Sequence, residues 1–224
     1  YIGNISHELK TPIFSIQGYI HTLLDGAMDD SKVAKKFLKR TAKSVDRMTE
    51  LVKDLEAISK IESGLYEIQL RPVVLLNLID DSMDTLESFI TKHKAEVEVV
   101  WEVNKDVQVV CDSARIEQVL DNLIVNAIKY SPVGSSVLVV IREKNDSVYI
   151  DVRDHGFGIP EGDLARVFER FYRVDKARTR NEGGSGLGLS IVKHIVEAHG
   201  EEITVNSKER VGSVFSFSLA KVMR

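Results

Sequence analysis

One cysteine, Cys111, in 224 residues rules out disulfides within the chain and any metal site built from several thiolates. Long apolar runs are equally scarce. None approaches the roughly 20 residues that a membrane-crossing helix needs, and the N-terminus lacks the succession of charge, apolar core and small residues that marks a secretory signal. A surplus of positive charge is missing too: 30 lysines and arginines face 34 aspartates and glutamates, for a net charge of −4. There is thus no overall basic field of the kind a nucleic-acid binder uses. What remains, 43% hydrophobic and 29% charged residues, suits a chain that folds around one or two cores and argues against disorder. A cytoplasmic setting is expected, and an opening already inside a helical pattern at Tyr1 points to a portion of something longer.

From Ile2 the apolar residues fall at 2, 5, 9, 13, 16, 20 and 23, one stripe along a helix. Asp25 to Lys32 reads as a turn. A second helix is expected from about Ser31 to Ile61, with Leu38, Val45, Met48, Val52, Leu55 and Ile58 on one side at a spacing close to a heptad seam. Such a hairpin either packs on the rest of its own chain or pairs with a second copy to give a dimeric four-helix bundle. Beyond Gly64 and the Leu70–Val73 punctuation the pattern changes. Helices are expected near Leu75–His93, Ser113–Tyr130 and Gly188–His199, and strands near 96–103, 107–112, 135–144, 147–154, 203–206 and 213–220. That interleaving favours a mixed sheet covered by helices, an α+β fold.

Four constellations carry chemistry. His7 lies nearly opposite the stripe of the first helix and so faces solvent, with Glu8 adjacent and Thr11 one turn on. Pro12 cannot donate to the Glu8 carbonyl, so a bend is expected beside His7. In the helix from Ser113 the set Ile116, Val119, Leu120, Leu123, Ile124 and Ala127 faces a core, while Asn122, Asn126 and Lys129 share the other side. These are either a plain polar face, or a hard amide oxygen for Mg²⁺ with a lysine for phosphate. Asp154 ends a strand before a turn with Gly156 and Gly158, where a carboxylate can accept a hydrogen bond from an exocyclic amine. Gly184, Gly186 and Gly188 open a helix whose amides offer a phosphate cradle, in a spacing that is neither the Rossmann nor the P-loop pattern.

In order, "HELKTP", "DNLIVNAIKYSP", "DHGFGIP", "RVFERFYRVD" and "GGSGLGLSIVKHIVEAHG" closely resemble the H, N, G1, F and G2 boxes of two-component sensor histidine kinases. The resemblance implies a multidomain chain. Residues 1–64 are expected to form an α-helical hairpin, a dimerisation and histidine phosphotransfer domain that builds a dimeric four-helix bundle. Residues 65–70 are expected to be a hinge, and residues 71–224 an α+β sandwich that binds ATP, as in the gyrase, Hsp90 and MutL superfamily. It further implies His7 as phosphoacceptor, Glu8 as the group that orients the imidazole and draws off its proton, and Thr11 as the positioner of a water for dephosphorylating the partner. Asn126 is implied as the Mg²⁺ ligand with Asn122 beside it, Lys129 as a phosphate contact, Tyr130 against adenine, and Asp154 on the adenine amino group. Gly156 and Gly158 are assigned to the nucleotide turn, and Gly184, Gly186, Leu187 and Gly188 to the phosphate cradle. Phe168 and Phe171 are assigned to the base of a lid spanning about Arg173–Gly184, with Arg173 reaching the γ-phosphate. That segment has almost no apolar side chains, which argues for mobility without nucleotide. His155, where the family has a small or polar residue, is expected to point outward.

The partners implied are ATP and ADP with Mg²⁺, a second copy of the chain, and the receiver domain of a response regulator, with no direct nucleic-acid or membrane contact in this portion of a membrane-anchored sensor. Lys32, Lys35, Lys36, Lys39, Arg40, Lys43 and Arg47 form either a solvated face or a guide for an acidic receiver. Two alternatives are an ATPase of the gyrase or Hsp90 type, which carries a glutamate base where this sequence has Asn122, and a non-catalytic dimerisation module switched by nucleotide.

Overall fold

The computed structural model describes residues 2–62, 68–174 and 185–222, and it divides into an N-terminal helical unit and a larger α+β unit. In the first, α1 (Ile2–Leu24) packs against α2 (Ser31–Glu62) across a short 3-10 turn, Ala27–Asp29. Gly26 enters that turn at φ 114°, a left-handed conformation that favours glycine. Asp30 then starts α2: its Oδ1 accepts the amides of Lys32 at 2.9 Å and Val33 at 3.2 Å, satisfying donors that have no partner within the helix.

The inner faces of the hairpin are not those expected from apolar spacing alone. On α2 the shielded positions are Ala34, Phe37, Thr41, Ser44, Met48, Leu51, Leu55 and Ile58, alternating steps of three and four, with Leu51 and Ile58 fully buried. Leu38, Val45 and Val52, read as part of one seam, lie off it and are exposed. The small residues Ala34, Thr41 and Ser44 belong to the packed seam, and a search for large apolar side chains passes over them. On α1 the inner face is Ile5, Leu9, Pro12, Ile16, Tyr19 and Leu23, whereas Ile13 and Ile20, assigned to the same stripe, are exposed together with Phe14 and Leu24. Pro12 is therefore part of the helix–helix contact. Helix α1 continues through it, giving up the bond to the Glu8 carbonyl.

The second unit is built on a five-stranded mixed sheet with strand order β2-β4-β5-β7-β6, formed by β2 (Glu96–Trp101), β4 (Ser136–Lys144), β5 (Ser147–Asp154), β6 (Ile203–Lys208) and β7 (Gly212–Ala220). β2 and β4 run parallel and every other pairing is antiparallel. β1 (Arg71–Val74) and β3 (Gln108–Cys111) make a separate antiparallel pair, and β1 was not expected. The helices α3 (Leu75–His93), α4 (Ser113–Lys129) and α5 (Gly188–Ala198) complete the unit, with α4 touching both other helices as well as β4 and β5. Alternate residues of the sheet, Val137, Val139 and Ile141 on β4, Val148, Ile150 and Val152 on β5, and Phe215, Phe217 and Leu219 on β7, meet the apolar side of α4 in one core.

The start of α4 is tied to the end of α5. Asp112 caps α4 through Oδ1 to the Arg115 amide at 3.4 Å, and its Oδ2 accepts the Gln69 amide at 3.2 Å. The Asp112 amide donates to Nε2 of His199 at 3.1 Å, which puts the ring hydrogen on Nδ1, 2.7 Å from the Ile195 carbonyl. A neutral imidazole thus fixes two helix ends at once. Cys111 lies beside this junction, wholly buried, its thiol pushed up to about 12 by burial and then by the carboxylates of Asp112 and Glu117. It is inert at neutral pH. Among the described residues no helix is long and apolar enough to cross a membrane.

Candidate functional site

On the hairpin, His7 is exposed, and its imidazole makes no hydrogen bond among the described residues. Glu8 turns inward. Its Oε2 accepts from Nη2 of Arg47 on α2 at 3.1 Å, with both side chains about one-quarter exposed. Arg47 therefore does not share the solvated basic face with Lys32, Lys35, Lys36, Lys39, Arg40 and Lys43, which are exposed. The Thr11 hydroxyl donates to the His7 carbonyl at 3.2 Å, which leaves its lone pairs open to accept from a water. Helical geometry alone sets Thr11 one turn from His7 on the outer side and turns Glu8 toward α2; Arg47 comes from the other helix and had no signal beyond its place in a basic run.

In the α+β unit, two buried aspartates on β5 point to opposite faces of the sheet and differ in kind. Asp151 is buried, which by itself raises its carboxyl. Hydrogen bonds from Arg142 at 3.1 Å, Ser216 at 2.8 Å and Arg153 at 2.9 Å more than offset that and hold it below the ordinary carboxylate range. Among the described residues no guanidinium pairs with Asp154. Burial holds its carboxyl above the usual value, against hydrogen bonds from the amides of Gly156 and Ser213 and the Ser213 hydroxyl, and against the nearby charge of His155. Both amides, at 2.8 and 3.2 Å, land on Oδ1. A buried aspartate whose carboxyl is held above its usual value by burial, at the end of a strand beside a glycine turn, is a candidate for ligand recognition. His155 itself is exposed, as expected.

The backbone around Asp154 leaves no room for side chains. A Cβ on Gly156 would collide with the Tyr130 carbonyl and lie 2.8 Å from the Asp154 carboxylate, and one on Gly212 would collide with the Asp154 carbonyl. Gly158 (φ +67°) is pressed against the Lys208 carbonyl. The Phe157 amide donates to the Tyr130 carbonyl at 3.0 Å, so this turn is stitched to the end of α4, where Tyr130 is exposed. Gly212 and Ser213 were missed. They reach Asp154 only through the β5–β7 register, Asp154 opposite Ser213, which no local pattern announces.

Further along α4, Asn122 donates from Nδ2 to the Gln118 carbonyl at 2.8 Å, and its Oδ1 lies 2.9 Å from where a Cβ on Gly188 would sit. Asn122 and the first turn of α5 are thus in contact. That turn has Leu187 at its N-cap. Asn126 is half-buried one turn on. Lys129 points elsewhere: its Nζ rests over the Phe89 ring of α3, 5.8 Å from the centroid. Phe168 packs edge-on against Phe215, with centroids 6.3 Å apart. Phe171 holds φ +62°, a costly conformation for an aromatic residue, while its amide donates to the Gly186 carbonyl at 2.8 Å. Two nitrogens of Arg173, Nε and Nη2, are buried without a hydrogen-bond partner among the described residues. Gly184 and most of the expected lid, residues 175–184, lie outside the described residues.

Comparison with known proteins bears on both units. Residues 1–64 match the family described as His Kinase A (phospho-acceptor) domain, and residues 111–222 match the family described as Histidine kinase-, DNA gyrase B-, and HSP90-like ATPase. The chain belongs to the histidine kinase family. Sensor histidine kinase WalK of Bacillus subtilis (strain 168) is 40% identical over 222 residues, which are 98% of this chain and 36% of WalK. The chain therefore spans about a third of that relative. Among solved structures, histidine kinase AdeS of Acinetobacter baumannii matches with a TM-score of 0.74 at 27% identity, covering 96% of this chain and 97% of that one. Histidine kinase ThkA, solved in complex with response regulator protein TrrA, matches with a TM-score of 0.80 at 27% identity, covering 99% of this chain and 61% of that one.

For this histidine kinase chain the state of Asp154 has a measurable consequence. Its carboxyl is raised in the folded state, so the group favours folding fully only below its unfolded-state value, and that contribution is lost as pH rises through the folded value. Asp154→Asn removes the buried charge. Its melting temperature at pH 7 should equal or exceed that of the native chain, and the difference should shrink as the pH is lowered toward 4. A variant several degrees less stable at pH 7 would show that the carboxylate is held for stability.

Proposed function

We propose that this chain is the catalytic core of a sensor histidine kinase. It takes the γ-phosphoryl group of Mg-ATP onto His7 and passes it to an aspartate on the receiver domain of a response regulator, which it also dephosphorylates. The observation that carries this reading is an exposed imidazole, without a hydrogen bond among the described residues, on the helix matched by the phospho-acceptor family, in a chain whose other unit keeps a buried carboxylate beside a glycine turn. Residues 1–64 are then the dimerisation and phosphotransfer domain, 71–224 the ATP-binding domain, and 65–70 a hinge between a nucleotide-docked and a partner-docked state. The exposed residues Leu38, Val45 and Val52, spaced by seven on α2, with Ile13, Phe14 and Ile20 on α1, support closure by a second copy into a four-helix bundle.

In the nucleotide unit Asp154 is the acceptor for the adenine amino group, with Tyr130 against the ring and Gly156 and Gly158 admitting it to the backbone. The amides at Gly186, Leu187 and Gly188, with Gly184, receive phosphate oxygens at the N-terminal end of α5. Arg173 brings N–H groups that have no hydrogen-bond partner among the described residues, and Phe168 and Phe171 fix the segment that carries it. Lys129 gives up its contact with Phe89, worth about 0.5–1 kcal/mol at an exposed site, for the stronger charge of a phosphate. Among the described residues no three His, Cys, Asp or Glu side chains converge as a metal cage. Mg²⁺, however, is bound through one or two protein oxygens with phosphates and water, and an amide on the polar side of α4 fits that requirement. Asn126 would hold it, with Asn122 alongside. When bound there, the ion would supply positive charge against the phosphates. An amide at position 122, already donating to Gln118, is no base for water, which disfavours rapid ATP hydrolysis of the gyrase type.

The test is covalent. Labelled γ-phosphate from ATP should appear on the native chain as an acid-labile, base-stable adduct, and His7→Gln should abolish it while leaving ATP affinity nearly unchanged. Label retained by His7→Gln would remove His7 from the role. The second activity depends on Thr11. Neither nucleophile nor base needs a hydroxyl there, but a water aligned on an aspartyl phosphate does, an effect of positioning worth about 10²-fold. Thr11→Ala should keep autophosphorylation within a few-fold and slow regulator dephosphorylation by roughly that factor; loss of autophosphorylation with dephosphorylation intact would reverse the assignment.

A further inference from the structure

Glu8 and His7 are neighbours in sequence, about 100° apart around α1, and residues so placed do not face one another. A carboxylate at position 8 therefore needs something to hold it where a proton on His7 can reach it. The structure supplies one group, Arg47, from α2. Its Nη2 donates to Oε2 of Glu8 at 3.1 Å across the hairpin. The contact uses one arm of the guanidinium and one oxygen of the carboxylate. Oε1 of Glu8 has no hydrogen bond among the described residues, and Nε of Arg47 is buried without a partner among them. An arginine serving only to tie two helices together is best placed with both arms on both oxygens. Here one carboxylate oxygen is anchored and the other left open, on the residue next in sequence to His7, whose imidazole is exposed and makes no hydrogen bond among the described residues.

We propose that Arg47 is a positioning residue for phosphorylation of His7, acting through Glu8. The proposal rests on the reading of His7 as phosphoacceptor and Glu8 as its base. In the step itself the Nε2 lone pair of His7 forms the N–P bond. The bond from the γ-phosphorus to the bridging oxygen breaks, its electrons leaving on ADP, and the Nδ1 proton passes to Oε1 of Glu8. Arg47 keeps Oε2, so the free oxygen is presented in one orientation and the rotamer entropy of a glutamate is settled before the reaction. Nucleophile, base and a third group that orients the base form the pattern that activated nucleophiles share.

The experiment is steady-state autophosphorylation of the full chain with labelled ATP, comparing native, Arg47→Met, Arg47→Lys, Glu8→Gln and the double variant Glu8→Gln/Arg47→Met. Arg47→Met keeps the apolar stem, and circular dichroism checks that helix content is unchanged. Arg47→Met should lower kcat by about 10- to 100-fold with the KM for ATP unchanged, and Arg47→Lys should recover most of the loss. In the Glu8→Gln background Arg47→Met should have no further effect, because a group that acts through Glu8 has nothing left to position. Native rates in Arg47→Met, or an undiminished second loss in the double variant, would overturn the proposal and leave Arg47 a structural tie. A native rate in Glu8→Gln would instead overturn the underlying assignment of the base, so the two failures are distinguishable.

Discussion

A carboxylate held out of water at the end of a strand sets most of the geometry of the larger unit. Asp154 can be kept there only if backbone amides come to it, and the amides available are those of Gly156 in the turn just ahead and Ser213 on the neighbouring strand. Each demand propagates. The turn must press against the end of α4, which leaves no space for a Cβ on Gly156, and β7 must begin so close to Asp154 that position 212 must be glycine at φ +134°. The same turn brings Phe157 onto the Tyr130 carbonyl. That fixes the end of the helix whose polar side carries Asn122 and Asn126. Asp151, three residues earlier on the opposite face, shows what the strand does with a carboxylate meant only to be buried: it surrounds it with two arginines and a serine.

The hairpin solves a different problem, exposing a nucleophile while ordering its neighbour. Residues 7 and 8 cannot share a face of one helix, so the outward position goes to His7 and the inward one to Glu8, where α2 can reach it. Pro12, on the packed side of α1, removes a backbone bond to the Glu8 carbonyl without ending the helix. The α1–α2 contact, including Tyr19 against Phe37 with ring centroids 5.7 Å apart, carries the helix past the defect. Burial of Leu23, Leu51 and Ile58, each worth roughly 2 kcal/mol, is comparable in scale to the cost of about 3 kcal/mol for a proline inside a helix.

Much of this was legible in the residues. The apolar side of α4, from Ile116 to Ala127, is buried as its spacing requires, because a 3.6-residue period admits one solution when large side chains occupy every inward position. α3 and the strands of the sheet followed from the same rule and from runs of β-branched residues. The packed seam of α2 did not, because three of its members are small or polar while Leu38, Val45 and Val52, the larger side chains, face outward. Nor did β1, four residues containing a proline, whose pairing with β3 is set by tertiary contact. The roles of Ser213, Gly212, His199 and Arg47 depend on strand register or on a partner helix 39 or more residues away, and nothing in their immediate surroundings encodes that. Lys129 illustrates the reverse case: its place on the polar arc was clear, yet its flexible stem takes the charge to Phe89.

The most direct test of the arrangement around Asp154 is a backbone amide NMR titration of the chain with a non-hydrolysable ATP analogue, with and without Mg²⁺. Shifts should concentrate at Asn122, Asn126, Gly156, Ser213 and Gly188, those at Asn126 should depend on Mg²⁺, and Arg142, Asp151 and Ser216 on the far face of the sheet should stay still. Saturable binding that moved the far face, and left Gly156, Ser213 and Gly188 where they were, would contradict the placement of the nucleotide and the reason given for the buried carboxylate.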